Sequence, residues 1–330
     1  MELAQQPDKI TEKRHMRRVA LIENPASGST SPRRRSVVRT AAAELRAADI
    51  EVDHLMIDGP GSGAKLARQA LERGCDTVLV CGGDGTVHEV LQPLVGTAVA
   101  LGVLPLGTAN ALASDLGLAR SPEIAIRMLL QANPVPVPVG RISFVRPDGE
   151  QQTRYFTVAA GVGPDALLMA RMDPVLKRRL GYILYMIEAF RIWASHPFPL
   201  FNVRVTNGNG DESTVHASQI LAVRIRSFGG VLGQLAPGAS LHSPHLSLVA
   251  FRTRRRLHYF RFLIAVMAGR QKFSRDVELI TATSVECAAG PGATLPIYVE
   301  ADGEVLGHAP VRMEMAEEKL TLLMPPDAQP

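Results

Sequence analysis

Residues 78–90, VLVCGGDGTVHEV, restrict what this chain can fold into more than any other stretch. Val78, Leu79, Val80 and Cys81 form a buried-strand run that stops at Gly82 and Gly83. Asp84, Gly85 and Thr86 follow, and then Val87, Val90, Leu91 and Leu94 recur at helical spacing. A strand that breaks at glycines and resumes as a helix leaves unpaired N–H groups at the helix start. Together with the helix dipole they favour an anion, most often phosphate. Without Cβ atoms, the glycines let the backbone touch it. A plain tight turn between strand and helix is the alternative. Gly-Gly-Asp-Gly-Thr, all small or acidic, favours the phosphate reading.

The same rhythm runs through the first 130 residues. Strands are expected at 18–22, 50–57, 78–81 and 99–104, and helices at 32–48 and 64–73, with further helices after Gly83 and Asn110. This βα alternation predicts an α/β domain with a doubly wound parallel sheet. Ligands of such sheets sit beyond the carboxyl ends of the strands. Three of those ends are rich in glycine and hydroxyls: 24–28 (NPASG), 82–86 (GGDGT) and 105–110 (PLGTAN). They are expected to share one crevice.

The pattern changes at PVPVPVG (134–140), an extended linker or edge strand because proline donates nothing to a ladder. Strand-like runs then dominate, at 155–160, 201–206, 218–226, 246–252, 277–283, 296–300 and 320–324, with helical patterns at 174–193 and 257–268. The second domain is thus expected to be an antiparallel β-sandwich or barrel with a helical insert. The expected division is a disordered lead-in (1–16), an α/β domain (17–137), a β-rich domain (138–325) and a tail (326–330). The last strand is free to return to the first domain.

Composition excludes several classes. A net charge of +4 over 330 residues, with no zinc-finger or RNA-binding motif, argues against nucleic acid. Cys75, Cys81 and Cys287 lack metal-ligand spacing and fit a reducing, cytoplasmic compartment. The N-terminus has no apolar signal core, and no run reaches the length of a membrane span.

NPASG (24–28), GGDGT (82–86), PLGTAN (105–110), AAGVGPDA (159–166) and ADGE (301–304), in that order, resemble the diacylglycerol kinase catalytic superfamily. That superfamily includes soluble bacterial lipid kinases and the sphingosine and ceramide kinases. The resemblance covers about residues 17–325. It implies ATP in a cleft between the two domains, with Asn24, Pro25, Ala26, Ser27 and Gly28 beside the nucleotide. Gly82, Gly83, Asp84, Gly85 and Thr86 are implied to wrap the phosphates, and Gly107, Thr108 and Asn110 to add contacts. Mg2+ on the phosphates neutralises charge during transfer, and Asp84 is implied to orient that metal or the acceptor. Asp302 or Glu304 is implied as the general base; read locally, Asp302-Gly303 is also good hairpin chemistry.

The departures from the family pattern share a theme. Ala111, Pro138 and residues 241–247 (LHSPHLS) stand where many relatives have acids, the last for a structural magnesium. Ser29 replaces a common basic residue, Met56-Ile57 a threonine, and Arg226-Ser227 an Asn-Gly ahead of Phe228-Gly229-Gly230. The expectation is that this second metal site is absent. His242 and His245 read as loop residues or, less simply, as ligands of a softer metal.

On the lipid side, Arg252-Thr253-Arg254-Arg255-Arg256 precedes an apolar helix, and Lys177-Arg178-Arg179 precedes another. Two such clusters could dock the protein transiently on anionic lipid. Solvated helix ends with apolar faces turned to the core compete with that reading. Arg33, Arg34 and Arg35 sit at a helix start, where the dipole favours an anionic partner. Trp193 reads as core or cleft wall, and Gly161, Gly163 and Asp165 as a helix-capping or packing group.

The expected function is an ATP-dependent lipid kinase acting on a hydroxyl of diacylglycerol, a sphingoid base or a related lipid, peripheral to a membrane. A homodimer through exposed sheet edges is possible. The alternatives are a soluble kinase of the NAD-kinase type and a non-catalytic nucleotide- or lipid-binding regulator.

Overall fold

Four strands pair in parallel in the order β2-β1-β3-β4: β1 (Arg18–Glu23), β2 (Glu51–Met56), β3 (Thr77–Gly82) and β4 (Ala100–Pro105). The computed structural model that shows this describes residues 16–27, 32–119, 121–146, 149–173, 176, 182–228, 233–270, 277–290 and 295–326, without the side chains of 32–35 and 182. β3 and β4 are buried along their whole length, which is why they read as unbroken apolar runs. β2 lies at the edge and alternates between exposed and half-buried. The connecting helices are α1 (Pro32–Ala47), α2 (Ser62–Glu72), α3 (Asp84–Leu91), α4 (Ala111–Asp115) and α5 (Pro122–Leu130). α1 packs with α5, and α2 with α3. The chain reverses direction across the sheet between β1 and β3, the place where such folds open a crevice.

β5 (Asn133–Val145) runs without a break through the expected boundary at 137/138. It pairs antiparallel with β16 (Val311–Met324) on both sides of that point. Over 133–138 only this flank is paired, so the alternate prolines remove no ladder donor from the free flank. β16 also joins β4 in parallel at Thr321 and Leu322, and β13 (Ser284–Ala288) antiparallel at 311–314. The β5–β16 ribbon thereby fuses the parallel strands with β6 (Gln151–Phe156), β8 (Phe201–Thr206), β9 (Glu212–Ala217) and β13 into one ten-stranded sheet.

A second, fully antiparallel sheet has the order β12-β11-β10-β7-β14-β15. Its strands are β7 (Ala159–Val162), β10 (Gln219–Val223), β11 (Leu246–Phe251), β12 (Val277–Ala282), β14 (Tyr298–Ala301) and β15 (Glu304–His308). The core between the two sheets includes Phe156, Phe201, Ile220, Leu248 and Met313, making this half a β-sandwich. Three helices flank it: α6 (Pro164–Arg171), α7 (Tyr182–Ser195) and α8 (Arg256–Met267).

Several elements differ from expectation for identifiable reasons. The strand expected at 155–160 is two strands in different sheets. At Thr157-Val158 the backbone N–H groups turn away from any ladder to a carboxylate, and the chain changes sheets there. β9 (ESTVHA) and β15 (EVLGH) are largely exposed and carry no apolar alternation, so the pattern does not announce them. Met16, expected in the lead-in, is buried in the core beneath the parallel sheet. Residues 1–15, 327–330, Gly28, Ser29, Gly229, Gly230 and Lys177-Arg178-Arg179 lie outside the described residues, as do the side chains of Arg33, Arg34 and Arg35.

Candidate active site

The turn after β1 and the turn after β3 are tied together by hydroxyls. Thr86, buried in the first turn of α3, accepts a 2.8 Å hydrogen bond from Asn24 Nδ2 and lies 3.2 Å from Ser27 Oγ. Asn24 Oδ1 accepts from Ala26 N at 2.9 Å, closing an Asx turn over Pro25. The turn after β4 is closed by Asn110, in left-handed backbone (φ 49°), whose amide bridges Gly107 N and Gly107 O. Gly107 packs directly on Gly83. A Cβ on Gly107 would lie 2.5 Å from Gly83 Cα, so only glycine fits.

Asp84 joins the second turn to the third. Its Oδ2 accepts from Asn110 N at 2.9 Å and its Oδ1 from Ala111 N at 2.7 Å, at the head of α4. Burial pushes the Asp84 carboxyl above its ordinary pKa. The Ala111 and Asn110 amides oppose the shift, and the nearby Asp302 carboxylate adds to it. Ala111 thus contributes its backbone N–H at a position where the family pattern puts a carboxylate side chain.

Asp302 reaches this place from the β14–β15 hairpin. Asp302 and Gly303 both have positive φ (50° and 85°), the geometry of a two-residue type I′ turn. The hairpin reading is correct, yet the Asp302 side chain does not face water. It is buried, and its oxygens accept from Thr157 N (3.0 Å), Val158 N (2.8 Å), Ala159 N (3.1 Å) and Thr157 Oγ1 (3.4 Å). Oδ2 also lies 3.4 Å from Nδ1 of His88. Glu304 remains exposed and leans over the start of α3, where a Cβ on Gly85 would lie within contact of its Oε1. The three strand-end turns and the hairpin turn therefore meet at one place. Thr108 lies in the same turn as Gly107, half-way between Leu106 and Asn110.

Sequence reasoning missed His88, buried one helical turn after Asp84 and on the same face of α3. That spacing was the available signal. It also missed Glu300 and the state of Asp165. Gly163 caps α6 at φ 117°, as expected of a capping group, but Asp165 caps nothing with its side chain. Both Asp165 oxygens are buried without a hydrogen-bond partner, and burial pushes its pKa up to about 7. Glu300 is raised as well, by burial and then by Asp165, while its Oε2 accepts from Gly303 N at 2.7 Å.

The segments without family acids are organised differently. Arg224 is fully buried and donates to four carbonyls: Ser243 O (2.7 Å), His245 O (3.0 Å), Pro138 O (2.8 Å) and Leu241 O (2.9 Å). Burial lowers its pKa to about 10, and it remains a cation at neutral pH. Among the described residues no cluster of three metal-ligating side chains forms, and His242 and His245 stay in the loop. Asp115 takes the amides of Arg226 and Ser227 at 2.8 and 3.0 Å. Trp193 is neither core nor cleft wall. Half-buried between α7 and α8, it donates from Nε1 to Arg256 O at 2.9 Å.

Comparison with known proteins agrees with this layout. Residues 18–142 match the diacylglycerol kinase catalytic domain, and residues 156–324 match the YegS C-terminal NAD kinase beta sandwich-like domain. A probable lipid kinase YegS-like from Chromohalobacter salexigens is 30% identical over 87% of this chain and 88% of its own. A diacylglycerol kinase from Mycobacterium tuberculosis is 26% identical over 93% of this chain and 95% of its own. A crystal structure titled a putative diacylglycerol kinase from Bacillus anthracis superposes with a TM-score of 0.77 at 21% identity, covering 97% of this chain and 99% of that one. This last likeness speaks for the fold.

Proposed function

Since the chain belongs to the diacylglycerol kinase catalytic family, with the YegS-like lipid kinases among its relatives, we propose that it transfers the γ-phosphate of ATP to a lipid hydroxyl. Diacylglycerol, a sphingoid base or a related lipid supplies that hydroxyl at the cytoplasmic face of a membrane. In this reading residues 17–137 hold the nucleotide and 138–325 the lipid, with β16 shared between them. The observation that carries the proposal is the meeting of Asp302, His88 and Asp84 at one place, from turns more than 200 residues apart in sequence.

The N–H groups at the start of α3, with Gly82, Gly83 and Gly107 offering no side chains, form the phosphate cradle. Asn24, Ser27 and Thr86 hold its wall, and Thr108 and Asn110 close its far side. The acceptor oxygen attacks the γ-phosphorus, the bond to the β–γ bridging oxygen breaks, and ADP leaves. Asp302 takes the hydroxyl proton, fixed for that task by the amides of 157–159 and by His88. Asp84 and Glu304 would be the carboxylates to hold Mg2+, which would supply charge neutralisation on the phosphate oxygens. Hard oxygen donors suit that ion.

The test is incubation with labelled ATP and a lipid panel, with NAD alongside. Label on lipid that is lost in Asp302→Asn supports the proposal, because asparagine keeps the shape and removes the base. Label on NAD alone moves the protein to NAD-kinase-type chemistry. ATP binding with no transfer to any acceptor makes it a regulator.

A further inference from the structure

We propose that the outward faces of α7 and α8 form one docking surface for an anionic lipid bilayer. The choice of occupant rests on the lipid-kinase reading; the surface itself does not. A surface helix ordinarily turns one apolar stripe inward and a polar face outward. α7 carries two apolar stripes. Leu184 and Ile192 face the core, while Ile183, Met186, Ile187 and Phe190, at helical spacing, face outward. Phe190 is 64% exposed and Ile183 61%.

α8 repeats the arrangement. Phe262 and Val266 are buried against Phe251 and its neighbours, and Leu257, Phe260, Ile264 and Met267 are exposed. Trp193 makes the two faces continuous: its ring lies 5.7 Å from Phe190 and 6.4 Å from Phe260. An apolar patch of this extent on a soluble fold marks an interaction site. Tryptophan with a polar tip satisfied and an apolar body outward is a residue of membrane interfaces.

Charge selects the occupant. Arg254, Arg255, Arg256, Arg261 and Arg270 are exposed on α8 and its two ends. From 252 to 270 the sequence contains no acid, and on α7 the single acid, Glu188, is buried and paired with Arg191 at 2.6 Å. Cations beside an apolar face match anionic headgroups above acyl chains. The same cations oppose a two-fold dimer through this patch, because symmetry sets like charges against each other.

The surface also leads to the chemistry. α7 packs on α6, and α6 contacts both β14 and β15, the strands joined by the Asp302-Gly303 turn. Beside the end of α7 lies a small, water-sized hollow lined by Leu167, His196, Phe201, Ser218, Ile297 and Tyr298.

The experiment is sedimentation of the full chain with vesicles of phosphatidylcholine alone or mixed with phosphatidylglycerol. Wild type is expected to bind the anionic vesicles at least about tenfold more tightly, with affinity falling as salt rises. The double variant Phe190→Ser, Phe260→Ser is expected to lose at least about tenfold in vesicle binding. It keeps its thermal midpoint and its activity on a short-chain lipid dissolved below its micelle concentration. Equal binding of both vesicle types, or unchanged binding by the double variant, overturns the proposal. So does a wild-type dimer that the double variant dissociates without any effect on vesicle binding. Vesicle binding without phosphate transfer to any lipid leaves the surface standing and removes the kinase reading instead.

Discussion

Two regions of this molecule solve opposite problems with the main chain. At the ends of β1, β3 and β4, three turns close on one another, Asp84 taking the amides of Asn110 and Ala111 and Gly83 packing on Gly107, and in the proposed function the N–H groups at the start of α3 receive an anion. Behind β10, backbone carbonyls from 138, 241, 243 and 245 collect around a cation that the chain itself supplies, Arg224. In the proposed function the first gathering exchanges its ligand. The second is permanent, because the guanidinium is covalently attached and its planar fork reaches four acceptors. A buried arginine can thus organise a loop through its carbonyls.

The comparison is broken most severely by Arg224→Met. Four carbonyls lose the guanidinium together, His245 O keeping only Ser243 Oγ, and the variant is expected to be destabilised by about 3–5 kcal/mol, read as a lowered urea midpoint. A chelator should leave the wild-type midpoint where it was. A wild-type midpoint in the methionine variant would show that the arginine organises nothing.

Gly107→Ala strikes the other region. The added Cβ pushes the third turn away from Gly83, and a displacement of about 1 Å is expected to lower phosphate transfer roughly 100-fold. The midpoint should fall too, but less than in Arg224→Met, so the two regions separate by the ratio of lost function to lost stability. Unchanged turnover would mean that the turns need no close approach.

A third effect, read as a pH profile, sharpens the contrast at an acid pair that neither gathering serves. Asp165 has a folded pKa of about 7, above its ordinary 3.8, so the folded state holds a proton that the unfolded state has released. The stability this contributes is present at low pH and is lost as pH rises through about 7. Asp165→Asn is expected to flatten that decline and to raise the midpoint at pH 8 relative to wild type. A parallel pH profile in the variant would place the proton elsewhere, Glu300 being its neighbour.

The parallel sheet was legible because β3 and β4 are buried on both faces and their turns need glycine. The sandwich was legible only in part. β9 and β15 lie on exposed edges, where no apolar alternation is required. Asp302 could be picked from its motif, but its four donors come from 157–159, a junction that reads as uninterrupted strand. His88 stood in plain view within VHEV and gained meaning only when a hairpin 214 residues away placed a carboxylate 3.4 Å from it. The outward stripes of α7 and α8 are present in the sequence as apolar residues, yet periodicity alone does not tell which stripe faces water.

Sequence alone determined where the backbone must bend tightly, because only glycine tolerates another backbone at contact distance, and that located the turns at Gly83 and Gly107. Tertiary structure alone decided which distant groups would face them, and that four carbonyls would gather on Arg224. Carbonyl oxygens are the same in every residue, so a cage built from them leaves no trace in the order of side chains.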